Sequence, residues 1–224
     1  MLFALGTPVA FAALVVSFLC GLMLRALAIR FTARTVGLAQ RNEPMRPSLR
    51  RDVDPFGAVA AAIGGMGWGR ILTVDDVPRW RGRGRAAAVF VAGPVTCILA
   101  GELLLAVFAL TGADPDLFRF LSVGLVLHGV DGLPYGEQVL LSLGVGLLAF
   151  GLLALIPIPP LDGFGILYNA LPRPGAGMQW MRLWFEDKNI GILVLLIFSL
   201  FPGGNPLVLA ILDVLGNFFL RVWG

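Results

Sequence analysis

Ile156-Pro157-Ile158-Pro159-Pro160-Leu161-Asp162-Gly163 closes a long apolar run, Val139 to Ile158. An acid directly after such a run lies at or inside a membrane boundary, where an unpaired carboxylate is expensive. The three prolines before it break the helix and free backbone groups. Non-helical backbone at that depth survives only where protein or a water-filled cavity surrounds it. Asp162 is therefore expected to face inward, toward the rest of the chain.

The whole composition agrees with a membrane reading. The 224 residues are 58% hydrophobic and 14% charged, with a mean hydropathy of +0.86. A soluble domain carries about a quarter charged residues. The expected fold is all-α, a polytopic transmembrane helical bundle forming one integral membrane domain over residues 1–224. The formal charge of +3 comes mostly from loop arginines, and nothing points to nucleic acid. Cys20 and Cys97 both lie in apolar runs, so no disulfide framework is expected. The N-terminal apolar run has no basic start and no small-residue cleavage site after it, so it is not read as a signal peptide.

In chain order, a first span is expected from about Leu2 to Ile29, with Arg25 near its end. A basic loop follows with Arg30, Arg34, Arg41, Arg46, Arg50 and Arg51. Phe56 to Leu72 is apolar but rich in glycine, and a second basic loop carries Arg79, Arg81, Arg83 and Arg85. If Phe56–Leu72 crossed the membrane, the two arginine clusters would lie on opposite sides, against the positive-inside bias. It is therefore read as a re-entrant or broken element. Ala86 to Leu110 is the next span. Asp114, Asp116, Asp131 and Glu137 then mark a non-cytoplasmic loop, whose apolar piece Phe118–Val130 is expected to be interfacial. Gln138 to Ile158 crosses back. Arg173, Arg182 and Lys188 mark another cytoplasmic loop. Ile190–Phe201 and Leu207–Val222 flank the turn Pro202-Gly203-Gly204-Asn205-Pro206. They form either one hairpin or a span plus an interfacial helix, giving about four to six membrane segments in all.

The opening stretch resembles the Pro-x-Pro-x-Leu-Asp-Gly signature of the site-2 protease family of intramembrane zinc metalloproteases. Asp54-Pro55-Phe56-Gly57 resembles that family's Asp-Pro-x-Gly element, Gly67-Trp68-Gly69 its Gly-Trp, and Ala92-Gly93-Pro94 its Ala-Gly-Pro-x-x-Asn span. Thr32-Ala33-Arg34, with Gly37 after it, resembles the segment following the zinc-binding helix. These landmarks stand in family order over roughly Thr32 to Tyr168. The resemblance implies a site-2-protease-like bundle in which Asp162 occupies the position of the third zinc ligand. It also suggests a bacterial inner-membrane location.

The family's first helix carries His-Glu-x-x-His, whose histidines bind zinc and whose glutamate activates water. Counting back from Thr32-Ala33 places that motif on Ser17-Phe18-Leu19-Cys20-Gly21. Neither histidine is present, the glutamate position is Phe18, and the chain's one histidine is His128. Cys97 and Ala154 stand at two asparagine positions of the family, and Asp52 at a histidine position. No catalytic residue and no cofactor are expected. Ser17, Phe18 and Gly21 read as degenerate catalytic positions and Asp162 as a vestigial ligand. A replacement site built from Cys20, Cys97 and Asp162 is the weaker reading, since cysteines in apolar helices are usually inert.

Ser17, Gly21 and Arg25 are four residues apart and share one helix face. Arg25 either turns to Asp162 or snorkels to the headgroups. Glu102, inside an apolar span, must face the bundle or a partner. Pro157, Pro159, Pro160 and Gly163 shape the loop. The expected function is that of a pseudoprotease that binds other integral membrane proteins as a subunit, assembly factor or regulator. Anionic lipid headgroups are expected at the arginine-rich loops. The alternative is an active metalloprotease with an atypical ligand set.

Overall fold

The computed structural model describes residues 1–39, 44–111, 115–200 and 206–223, the side chains of Pro115 and Asp116 excepted. Arg41, Asp114 and residues 202–205 of the expected turn lie outside them, as does the side chain of Asp116. Among the described residues there is no strand, and three helices are long and apolar enough to cross a membrane. They are α1 (Pro8–Thr35), preceded by a 3-10 turn at Leu2–Gly6, then Arg83–Leu110 and Tyr135–Leu155.

α1 has Pro8 in its first turn and Arg34 in its last, both favoured there by the missing donors and by the helix dipole. Its 28 residues span ~42 Å, more than a hydrocarbon core requires. The helix therefore runs past the expected end at Ile29. Arg30 and Arg34 are helical, not loop residues, because the helix continues for more than a turn beyond its apolar stretch.

After a single turn at Leu49–Asp52, α2 (Pro55–Gly64) enters the bundle. Asp54 caps it by accepting the Gly57 N–H at 2.8 Å, and Gly65 ends it in the left-handed region at φ 85°. The chain then doubles back. A Cβ on Gly67 would lie 1.9 Å from the Gly57 carbonyl oxygen, so the two legs touch backbone to backbone. Val53 is bridged to Gly69, and Arg70 N–H donates to the Asp52 carbonyl at 2.8 Å. Entrance and exit are thus adjacent, the geometry of a re-entrant element. At its tip the Met1 ammonium donates to the carbonyls of Ala61 and Ala62, at 2.9 and 3.1 Å. These are helix-end carbonyls that would otherwise lack partners.

α3 (Arg83–Leu110) carries Pro94 internally. Two six-residue helices follow, α4 (Pro115–Phe120) and α5 (Val123–His128). Neither is long enough to span, and Phe118, Leu121, Val123, Val126 and Leu127 pack this piece against the bundle core while Phe120 and Leu125 stay exposed. α6 (Tyr135–Leu155) is central: 78% of its most apolar window is buried, against 39% in α1 and 44% in α3. It meets α3 through Gly101, Gly144 and Gly151, where added Cβ atoms would collide with the facing helix. Small residues at such contacts let membrane helices approach closely.

α7 (Asp162–Ala170) and α8 (Ala176–Met181), which continues as a π turn over Arg182–Asp187, follow. α9 (Ile190–Leu200) and α10 (Leu207–Leu220) touch each other as a helical pair. α9 reaches the re-entrant tip, where a Cβ on Gly64 would lie 2.4 Å from the Ser199 carbonyl oxygen. α10 sends Asp213 to accept the Gly124 N–H of α5 at 2.6 Å.

The re-entrant path makes a topological prediction. In a Cys20→Ser background, Arg51→Cys and Arg81→Cys react with an impermeant maleimide from the same membrane face, and Tyr135→Cys from the other. Labelling of positions 51 and 81 from opposite faces contradicts the re-entrant path.

Candidate functional site

α6 stops at Leu155, and the chain makes tight turns closed by Ile158 N–H to Ile156 and Leu161 N–H to Ile158. A Cβ on Gly163 would lie 2.1 Å from the Leu155 carbonyl oxygen, so the start of α7 folds directly onto the end of α6. Pro159 and Pro160 are buried and packed by Gly191 of α9, whereas Pro157 is exposed. This turn delivers Asp162, whose side chain is 0% exposed, into the bundle.

Arg25 meets it there. Its Nε donates to Asp162 Oδ2 at 2.6 Å and its Nη2 to Oδ1 at 2.5 Å, a two-pronged charge-assisted contact. Its Nη1 donates to the Arg70 carbonyl at 2.8 Å, on the returning leg of the re-entrant element. The guanidinium turns inward and does not snorkel. Its stem crosses α3 at Gly93, where a Cβ would come within 2.7 Å of Arg25 Cγ.

One turn and two turns back along α1 stand Gly21 and Ser17. Ser17 Oγ donates to the Leu143 carbonyl at 3.3 Å. Phe18 packs edge-on against Phe150 of α6, with ring centroids 6.0 Å apart. A Cβ on Gly21 would lie 3.0 Å from that same Phe150 ring, and the Gly21 carbonyl accepts from Cys97 Sγ at 3.5 Å. Phe150 is thus a central residue of the site that motif reading overlooked. Its signal was an aromatic ring amid small residues, Gly146, Ala149 and Gly151. Trp68, whose Nε1–H is buried with no partner among the described residues, and Ala154 complete the surroundings. The space between them is ≈ 10 Å³, at the lower limit for one water.

A second buried pair lies farther along α1. Arg30, on α1, makes a two-pronged contact with Asp52, both side chains being about 5% exposed or less. Asp52 also accepts the Ser48 N–H at 2.7 Å. Arg30 was expected among loop arginines facing lipid headgroups, but an arginine buried against a carboxylate is withdrawn from that surface.

Glu102 accepts from Trp223 Nε1 at 3.0 Å, while its other oxygen is buried without a partner among the described residues. Cys20 is exposed on α1 and Cys97 buried, and with Asp162 they form no three-donor group among the described residues. His128 sits beside Phe3 and contacts the Gly124 carbonyl. α1 begins at Pro8 close to that end, ~25 Å along the helix axis from Arg25.

Do these residues fit a catalytic zinc? Such a site needs three protein donors and an open position. Here one carboxylate is present, and both its oxygens are engaged by a guanidinium that would repel a cation. The neighbouring helix face offers a hydroxyl, a phenyl ring and a glycine. Among the described residues no group of three His, Cys, Asp or Glu side chains could hold a metal. The donors do not fit zinc.

Outside the spans, Glu186 braces the chain after the re-entrant leg by accepting the Val74 N–H at 3.4 Å. Burial pushes its carboxyl up from 4.5 to about 7, and Asp75 and Asp187 add to the rise. The Val74 N–H and Arg182 pull the other way.

No family model and no solved structure matches the chain. It is 26% identical over 221 residues to a Bacillus subtilis (strain 168) protein named "Putative zinc metalloprotease YwhC", covering 94% of this chain and 90% of that protein.

Two predictions follow from this geometry. Removing one partner of a buried ion pair strands the other, so Arg25→Met or Asp162→Leu should each cost roughly 3–5 kcal/mol, and the double variant far less. Thermal unfolding in detergent measures the cycle; a double variant no better than the singles refutes the coupling. For Glu186, the folded state holds its proton more tightly than the unfolded chain does. Its stabilising contribution is complete below about 4.5 and is lost as pH rises through about 7. Glu186→Gln should flatten the stability profile across that window, as read by unfolding midpoints at a series of pH values.

Proposed function

We propose that the chain is a site-2-protease-like membrane protein without proteolytic activity. It acts by binding other integral membrane proteins, as a subunit, assembly factor or regulator of a membrane complex. The Arg25–Asp162 fork carries this reading, because a guanidinium occupies the carboxylate that the resembling family uses as a metal ligand. The Phe18–Phe150 contact supports it: an aromatic ring stands at the position where water activation would require a base. The alternative, a metalloprotease with an atypical ligand set, draws its support from the name of the Bacillus relative.

Metal analysis of the detergent-purified protein separates the two. The expected zinc content is far below one equivalent and unchanged in Asp162→Asn. Stoichiometric zinc that Asp162→Asn abolishes would overturn the proposal. Affinity isolation in mild detergent should also recover a defined membrane protein at constant ratio, insensitive to Asp162→Asn when the variant is folded. Reproducible isolation of the chain alone, before and after in-membrane cross-linking, argues against the partner-binding half.

A further inference from the structure

The helix formed by α8 and its π continuation is apolar on both sides. Met178 and Met181 turn inward against a small core of Val74, Phe164 and Tyr168, Glu186 is buried, and half-buried Phe185 lies with its ring centroid 6.2 Å from that of Trp180. The opposite side presents Trp180, Leu183 and Trp184, which are 55%, 49% and 43% exposed. The two indoles lie beside each other with centroids 6.2 Å apart. These positions, three and four residues apart, form one stripe, and the fold leaves about half of it exposed.

Two observations say what meets that stripe. The first is continuity. Lys188 and Asn189, the latter turning the backbone through a left-handed conformation, lead directly into α9, an apolar eleven-residue helix whose Leu193 and Ile197 are exposed. Trp184 is six residues before Ile190, so at most ~20 Å of chain separates it from the start of that apolar helix. The second is charge. Residues 70–85 carry five arginines against two aspartates, and residues 171–189 carry Arg173, Arg182 and Lys188 against Glu186 and Asp187. The two segments are tied together: Arg79 donates to the Leu171 and Pro172 carbonyls, and Arg182 pairs with Asp75. Trp80, 81% exposed with Arg81 over its ring, projects from the same region. Exposed tryptophans beside arginines are the composition of a membrane-water interface, where indoles settle at headgroup depth and cations meet phosphate.

We propose that Ala176–Asp187 is an interfacial helix lying in the cytoplasmic headgroup layer. Trp180, Leu183 and Trp184 insert at the acyl boundary, and the adjoining arginines, Arg81, Arg83 and Arg85 among them, bind the phosphates of anionic phospholipids. The inference does not depend on whether the protein is proteolytic. Its outer face is apolar and flanked by cations, so a bilayer surface can cover it without a protein partner.

The test uses the full chain reconstituted into phosphatidylcholine vesicles with and without phosphatidylglycerol. The acyl chains are brominated either near the headgroup or near the chain end. The emission difference between wild type and Trp180→Phe/Trp184→Phe isolates these two indoles, and phenylalanine keeps the stripe apolar. Bromine near the headgroup should quench that difference emission more than bromine near the chain end. Omitting phosphatidylglycerol, or introducing Arg81→Gln/Arg83→Gln/Arg85→Gln, should weaken the quenching. No quenching from either position would place the stripe in water or under another protein and overturn the proposal. Stronger quenching from the chain end would place the helix within the hydrocarbon, with the same result. Quenching indifferent to both phosphatidylglycerol and the arginine substitutions would overturn the headgroup assignment. Circular dichroism and gel filtration of each variant establish that the compared proteins are folded.

Discussion

One buried carboxylate has to be answered, and the answer organises the bundle. Asp162 is held inside the protein by a broken helix, where an unpaired charge would be prohibitive. Arg25 meets it with two parallel hydrogen bonds and spends a third donor on the returning re-entrant leg. Three elements that are far apart in sequence are thereby fixed at one point: the first helix, the re-entrant element and the turn after α6. Five residues on, Arg30 and Asp52 repeat the device where the re-entrant element begins. Bidentate geometry makes each contact directional as well as attractive, so the pairs set the register of α1 against its neighbours. The apolar contacts of the bundle, being non-directional, leave that register less defined.

The surrounding packing is consistent with this division of labour. Close approach at Gly101, Gly144 and Gly151 brings α3 and α6 together through van der Waals contact, the main attraction between helices where lipid removes the hydrophobic one. The re-entrant element keeps its legs together in the same way, through Gly57 and Gly67, and has its tip satisfied by the Met1 amine. Phe18 and Phe150 then fill the interior beside the fork, leaving room for little more than a water.

Much of this was legible in the sequence. The arginine clusters on either side of Phe56–Leu72 argue for a chain that enters and returns, and the structure closes that path with the Val53–Gly69 bridge. Spacing by four placed Arg25 on the face that could reach Asp162. What escaped notice had two causes. Helix ends were drawn where apolar residues stop, so Arg30 was taken for a loop residue although α1 continues to Thr35. Partnerships between distant residues leave no local pattern. Asp52 was read as a missing histidine when it is the partner of Arg30, and neither Asp213 capping α5 nor Trp223 bonding Glu102 has a signature in its own neighbourhood. Which residues of Phe118–Val130 pack into the core was not legible for the same reason, since a short apolar piece looks alike whether lipid or protein covers it.

Gly93 lies on a helix that contributes no charge to the fork, yet its bare backbone makes room for the Arg25 stem. A methyl group there would press on the Arg25 stem and strain its hold on Asp162, although neither charged residue had changed. Tolerance at position 93 is therefore conditional on what stands at positions 25 and 162. In a comparison of homologues the three should behave as one genetic unit. A side chain at 93 should become acceptable only in backgrounds where the charge pair has gone, so the order in which such substitutions accumulate is constrained by sterics rather than by chance.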